Sequence, residues 1–141
     1  RATTAGRDML LQVRELNAEW TLAGLPILEG IGVGIDAGEL RFVNIGGARR
    51  VQFDVIGGAI NGASRLQGLT KQMDHPLVVS SEIAERQKLF AVEENADAID
   101  EPSAASGLEF IGEMMIRGQG RRRLFGLPRA TVESWFPVRT P

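Results

Sequence analysis

The apolar period of this chain changes abruptly near its middle, and that change limits what the chain can fold into. From Val51 to Ile56 (VQFDVI) apolar and polar residues alternate as in a half-buried strand. Gly57-Gly58 breaks the pattern, and Ala59 to Leu69 (AINGASRLQGL) takes up a helical period. On such a helix Asn61 and Arg65 are i and i+4 and share one face, while Ala59, Ala63 and Leu66 fall on another. Asp54, near the strand end, is expected to point to the same place as Asn61 and Arg65. An acceptor, an amide and a guanidinium beside a Gly-Gly turn suit a ligand that carries a base, a ribose and phosphates. Each residue also has a plainer use. Asp54 can be a strand-end acid that caps the turn, Asn61 can bond the helix backbone or face solvent, and Arg65 can be a solvated helix arginine.

The rest of the chain supplies alternating elements. Arg7 to Ala23 repeats apolar residues at 9, 10, 13, 16 and 20, an amphipathic helix that Gly24 and Pro26 end. It lacks a cap, and residues 1–6 read as its continuation. Ile27 to Ile35 reads as a buried strand turned by Asp36 to Glu39, and Arg41 to Arg50 as a loop or short strand. Pro76 to Ser80 is an apolar strand, and Ser81 caps a short helix to Leu89. Glu93 to Gly107 lacks apolar periodicity and reads as a mobile surface loop. Leu108 to Ile116 and Arg121 to Leu127 form a hairpin around Gly118 to Gly120. His75, beside Asp74 and Pro76, reads as a loop residue rather than a ligand or base.

Three blocks in this order carry a resemblance. DVIGGAINGASRLQGL resembles the signature of class III nucleotidyl cyclases, the adenylate and guanylate cyclases, roughly D-x-x-G-[DN]-x-[VI]-N-x-A-[SA]-R. GIGVGIDAGEL is similar to that family's G-I-G-I-H-T-G-E strand and turn, and FIGEMMIRGQGRRRLFGL to its closing L-G-E-V-x-x-K-G hairpin. The resemblance covers about Arg7 to Leu127. It implies an α+β fold: a ferredoxin-like βαββαβ antiparallel sheet of cyclase type, with helices on one face and an added C-terminal hairpin. It further implies that residues 1–127 are the C-terminal part of a catalytic domain whose N-terminal strands, with two metal-binding aspartates, are missing. Residues 128–141, with Trp135 and Phe136, form a tail outside the family pattern, either packed on the domain or a linker.

By the same resemblance Asp54 accepts a hydrogen bond from the adenine amino group, Asn61 orients the ribose, and Arg65 stabilises charge as the 3'-hydroxyl attacks the α-phosphate. Arg117 stands where the family has a lysine on the terminal phosphates. Its plainer use is an exposed strand arginine beside Arg121, Arg122 and Arg123, a run that can also be a solvated edge discouraging strand pairing. The implied reaction turns ATP into 3',5'-cyclic AMP and pyrophosphate in signal transduction. Its site forms between two protomers, a homodimer or a cyclase-domain partner, with two Mg²⁺ or Mn²⁺ ions held by the missing part or the partner. The domain is expected in the cytoplasm, with membrane attachment of the whole protein and an upstream sensor domain left open. The alternative is a catalytically inactive cyclase-homology domain that binds nucleotide or regulates by dimerising.

Two departures from the pattern bear on activity. Gly58 replaces the usual Asp or Asn, and Gly62 replaces a bulky apolar residue, which leaves a packing gap where the family places its dimer interface. Composition agrees with a single domain: 141 residues, 43% of them hydrophobic, suffice for one ordinary core. The formal net charge of −2 and the lack of strand-borne paired aromatics argue against a nucleic-acid partner. There are no cysteines, which excludes disulfides and thiolate metal sites. No apolar run approaches the roughly 20 residues a membrane-spanning helix needs, and the segment from Arg1 has no secretory-signal form.

Overall fold

The computed structural model describes residues 1–47, 50–94, 107–116 and 120–135, with the side chains of 45–47, 50–53 and 88–94 set aside. The reading of 93–107 as a loop thus falls largely outside the described residues. The elements in chain order are α1 (Ala2–Leu22), β1 (Val33–Ile35), β2 (Arg41–Gly47), β3 (Arg50–Ile56), α2 (Gly58–Leu69), β4 (Leu77–Ser80), α3 (Ser81–Glu94), β5 (Glu109–Ile116), β6 (Gly120–Leu127) and α4 (Arg129–Ser134). Four strands form one sheet in the order β1-β4-β6-β5, and β2 and β3 form a separate two-stranded ribbon.

The centre of the sheet is β4, whose four residues are all fully buried. Leu77 and Val79 point to one face, where they join Leu10 of α1, Ala84 of α3, Leu127 and Val132 of α4. Val78 points to the other, where it meets Leu66 of α2, Ile116 and Leu124. Helices therefore cover both faces, not one as the resemblance implied. A strand apolar at successive positions has no side to give to water. The sheet is also mixed rather than antiparallel. The crossover through the ribbon and α2 makes β1 and β4 parallel, while β4–β6 and β6–β5 are antiparallel. α2 lies directly on β1: a Cβ at Gly34 would stand 2.2 Å from the Ala63 carbonyl oxygen and 2.3 Å from the Gln67 nitrogen, so only glycine fits there.

Several boundaries differ from expectation. α1 starts at Ala2, and the residues it buries are Thr3, Gly6 and Leu10, whereas Met9 is exposed. The strand expected over Ile27 to Ile35 shrinks to Val33–Ile35. Asn17 of α1 captures the backbone of Leu28 by donating Nδ2–H to its carbonyl and accepting its N–H, both at 2.8 Å. This holds the preceding segment along the helix end and leaves Leu25, Ile27 and Leu28 exposed rather than buried. Arg41 to Gly47 is a full strand, and α3 runs past Leu89 to Glu94. Of the expected tail, α4 packs on the core through Val132. Arg14 of α1 donates to the Val132 carbonyl at 3.0 Å, and the Arg7 guanidinium sits 4.7 Å from the Trp135 ring centroid.

The arginine run lies where β6 extends past β4, paired with β5 alone; Arg121 and Arg123 are exposed, as a solvated edge would have them, and Arg122 turns inward. Arg121 pairs with Glu113 at 3.5 Å, Arg122 is buried among carboxylates, and Arg123 lies over Phe110 and Phe125. The two phenylalanines are register partners on β5 and β6 with ring centroids 5.7 Å apart, so paired aromatics do occur, with the Arg123 guanidinium over both. His75 is a loop residue with a defined place: its ring sits over Gly126, Nδ1 bonds the Met73 carbonyl, and Nε2 lies 2.8 Å from Glu109. No helix among the described residues is long and apolar enough to cross a membrane.

Ser80 ends β4 on the Val78 side, with a buried hydroxyl that has no hydrogen-bond partner among the described residues. An unmet hydroxyl costs roughly 1 to 3 kcal/mol, whereas truncating a buried leucine costs roughly 2 to 5 kcal/mol. Ser80→Ala is therefore expected to leave stability unchanged or raise it, and Leu66→Ala to lower it steeply. Urea denaturation of both variants checks the pair; equal losses would contradict this account of the core.

Candidate functional site

The two faces of α2 have opposite tasks. Ala59, Gly62 and Leu66 are buried, and Asn61 and Arg65 are exposed on a common face one turn apart, as the spacing predicts. Gly62 is buried within the chain itself. Gly58, the other departure, is the exposed first residue of the helix.

The start of α2 is set by backbone packing. Gly57 precedes it in an extended conformation that any residue could adopt; what excludes a side chain is the Glu39 carbonyl oxygen, 2.4 Å from where a Cβ would stand. The N-cap makes no side-chain hydrogen bond and the first turn carries no acid, so no carboxylate of the helix offsets its positive end.

Asp54 lies on β3 of the ribbon, opposite Val43, and is exposed. Its Oδ1 accepts the Val55 N–H at 2.8 Å, a local bond of the kind its plainer reading foresees. Arg117 lies outside the described residues. The structure thus joins Asn61 with Arg65 on one face and sets Asp54 on the neighbouring ribbon. Among the described residues no group of three or more His, Asp or Glu side chains is placed to hold a metal ion.

Sequence reasoning missed a partly buried charge cluster beside this site. Asp36, immediately after β1, has a fully buried side chain whose Oδ2 lies 3.0 Å from Nη1 of Arg122. Arg122, itself only 11% exposed, also binds Glu82 of α3 through Nη2. Ala37 donates its N–H to Asp36 Oδ1 at 2.8 Å. The available signal was phase: Arg122 alternates with Leu124 and so points to an inward face of β6. Burial pushes the Glu82 carboxyl up, but its bond to Arg122, its own backbone N–H, the charge of Arg122 and the Ser81 hydroxyl outweigh that and hold it below the ordinary 4.5. Burial likewise pushes Arg122 down, and the bonds and charges of Glu82 and Asp36 more than reverse it.

A carboxyl whose folded value lies below its unfolded one stabilises the fold fully above the unfolded value. That contribution disappears as pH falls through the folded value. Glu82 should thus add acid sensitivity below about 4.5. Thermal unfolding followed from about pH 6 to about pH 3 is expected to show a shallower loss of stability for Glu82→Gln than for the unaltered chain; parallel curves would contradict it.

No family model matches the chain, and no curated protein is significantly similar to it. Solved structures do match. Two structures of a bacterial light-regulated adenylyl cyclase superpose with TM-scores of 0.58 and 0.61 at 17% and 18% identity, over 92% and 93% of this chain and 33% and 35% of theirs. The crystal structure of the guanylyl cyclase Cya2 gives a TM-score of 0.53 at 25% identity, over 89% of this chain and 57% of that one. The chain spans between a third and somewhat over half of the length of these structures, and its fold is that of a nucleotidyl cyclase.

Proposed function

We propose that this chain is the C-terminal part of a nucleotidyl cyclase catalytic domain, residues 1–127 with a tail over 128–141, and that it serves conversion of ATP to cyclic AMP and pyrophosphate. The observation that carries the reading is the exposed Asn61–Arg65 pair on α2, directly after a strand and a glycine turn, in a fold of cyclase type. Arg65 is a fixed planar cation that can follow charge as it develops on the α-phosphate. Asn61, one turn before it, offers an amide that can both donate to and accept from a ribose. Asp54 serves as the adenine acceptor, and ATP is preferred to GTP because a mismatched purine leaves polar groups unpaired. Arg117 holds the terminal phosphates.

In this proposal a second protomer, identical or a cyclase-domain partner, completes the site. Two Mg²⁺ or Mn²⁺ ions would supply Lewis-acid activation and charge neutralisation. The described residues do not form a ligand set for them, so those ions come with carboxylates from the partner or from upstream sequence. The 141 residues alone should then show no turnover.

A second reading, a nucleotide-binding or dimerising module without catalysis, is favoured by one observation: Asp54 is exposed and already accepts a bond from its neighbour's amide. The decisive assay uses the gene product extended upstream of Arg1, with Mn²⁺ and either ATP or GTP. Cyclic AMP is expected from ATP. Arg65→Ala is expected to lower kcat by roughly 10²- to 10³-fold, the size of effect seen when a transition-state donor is lost, with ATP affinity little changed. Equal losses in turnover and binding would contradict the role of Arg65, and a folded dimer that makes neither cyclic nucleotide would favour the second reading.

A further inference from the structure

We infer that Arg122 is a positioning residue for the site on α2, acting through Asp36 and residues 36–40. The inference rests on the reading of Asn61 and Arg65 as that site. The segment 36–40 lies against the start of α2 through backbone and small side chains. A Cβ at Gly38 would stand 3.3 Å from the Ala59 Cβ, and one at Gly57 would meet the Glu39 carbonyl oxygen and, at 3.2 Å, the Leu40 Cα. Ala59 and Gly57 are within four residues of Asn61. Contacts of this kind transmit position faithfully while the segment stays put, but they have little strength of their own.

What fastens the segment is its first residue. One oxygen of Asp36 takes the Ala37 N–H and the other takes Arg122, so the carboxylate ties the turn to β6 across the sheet. Glu82 binds the second guanidinium nitrogen and fixes the rotamer of Arg122 from the start of α3. The arrangement is demanding in one direction. Without the guanidinium, Asp36 would be a fully buried carboxylate lacking its counter-charge, and residues 36–40, exposed from Gly38 on, would be freed to open toward water. The start of α2 would then lose its support, and misplacement by about 1 Å can cost on the order of 10²-fold in rate.

The test compares the upstream-extended protein with its Arg122→Met and Arg122→Lys variants by amide hydrogen exchange and by steady-state kinetics. In Arg122→Met, exchange at 36–40 and 58–61 should rise by about tenfold or more while β4 and α4 stay protected. kcat should fall at least about tenfold with KM for the nucleotide little changed, and Arg122→Lys, which keeps the counter-charge for Asp36 but not the fork that also reaches Glu82, should recover part of both. Should Arg122→Met fail to fold, Asp36→Asn serves instead: it keeps an acceptor for Ala37, needs no counter-charge, and should loosen the same residues through loss of the ion pair. Unchanged exchange at 36–40 and 58–61, or exchange that rises equally in β4, overturns the inference, as does an unaltered kcat in a variant that shows the local opening. An unaltered protein that makes no cyclic nucleotide overturns the reading of the site, and the exchange result then decides the positioning by itself.

Discussion

The structure depends on β4 being apolar on both sides. A four-residue strand without a polar face cannot lie at the surface of a one-layer packing, so it draws Leu10, Ala84 and Val132 onto one side and Leu66 onto the other. α2 is the only element among the described ones that supplies a helix to the second side, which makes Leu66 its anchor. Because the helix is held from that side, the residues a half-turn away, Asn61 and Arg65, are directed outward. The geometry of the candidate site thus follows from how the centre of the sheet is covered.

A helix seated by one apolar stripe can still slide or tilt, and the chain restricts this by close backbone approach. Gly34 lets β1 touch the Ala63 and Gln67 backbone, and Gly57 lets the end of β3 pass under Glu39. Small residues bring elements close but contribute little burial, so the fixed distance must be held by something directional. The ion pairs of Arg122 have that character: Asp36, fully buried, and the half-exposed Glu82 bind separate guanidinium nitrogens, and removing Arg122 would leave Asp36 without its counter-charge.

Where each feature was legible follows from the range of the interaction that sets it. The pairing of Asn61 with Arg65 is local, fixed by the helical period, and the sequence pattern places it correctly. The hairpin of β5 and β6 is local too. The length of β1 is not: it is cut short because Asn17, eleven residues before Leu28, takes that residue's backbone bonds. Coverage of both faces was hidden because Leu77-Val78-Val79 shows no alternation from which to infer a wet side. Arg122 was misread for a related reason. Three consecutive arginines look like solvent exposure, yet strand alternation sends the middle one to the side opposite its neighbours, and only the distant Asp36 and Glu82 make that side hospitable to a cation.

α2 also keeps its packing apart from the residues of the candidate site. Gly62 weakens the helix by about 0.5 to 1 kcal/mol relative to alanine, but it does so on the buried face, where the neighbouring Leu66 carries the packing. The exposed face bears none of that burden, because neither Asn61 nor Arg65 takes part in either core cluster. Truncating either exposed side chain opens no cavity in those apolar clusters, so its cost to the core is small. The helix thus keeps the stripe that anchors it and its exposed amide and guanidinium on separate faces, so a change on one face need not disturb the other.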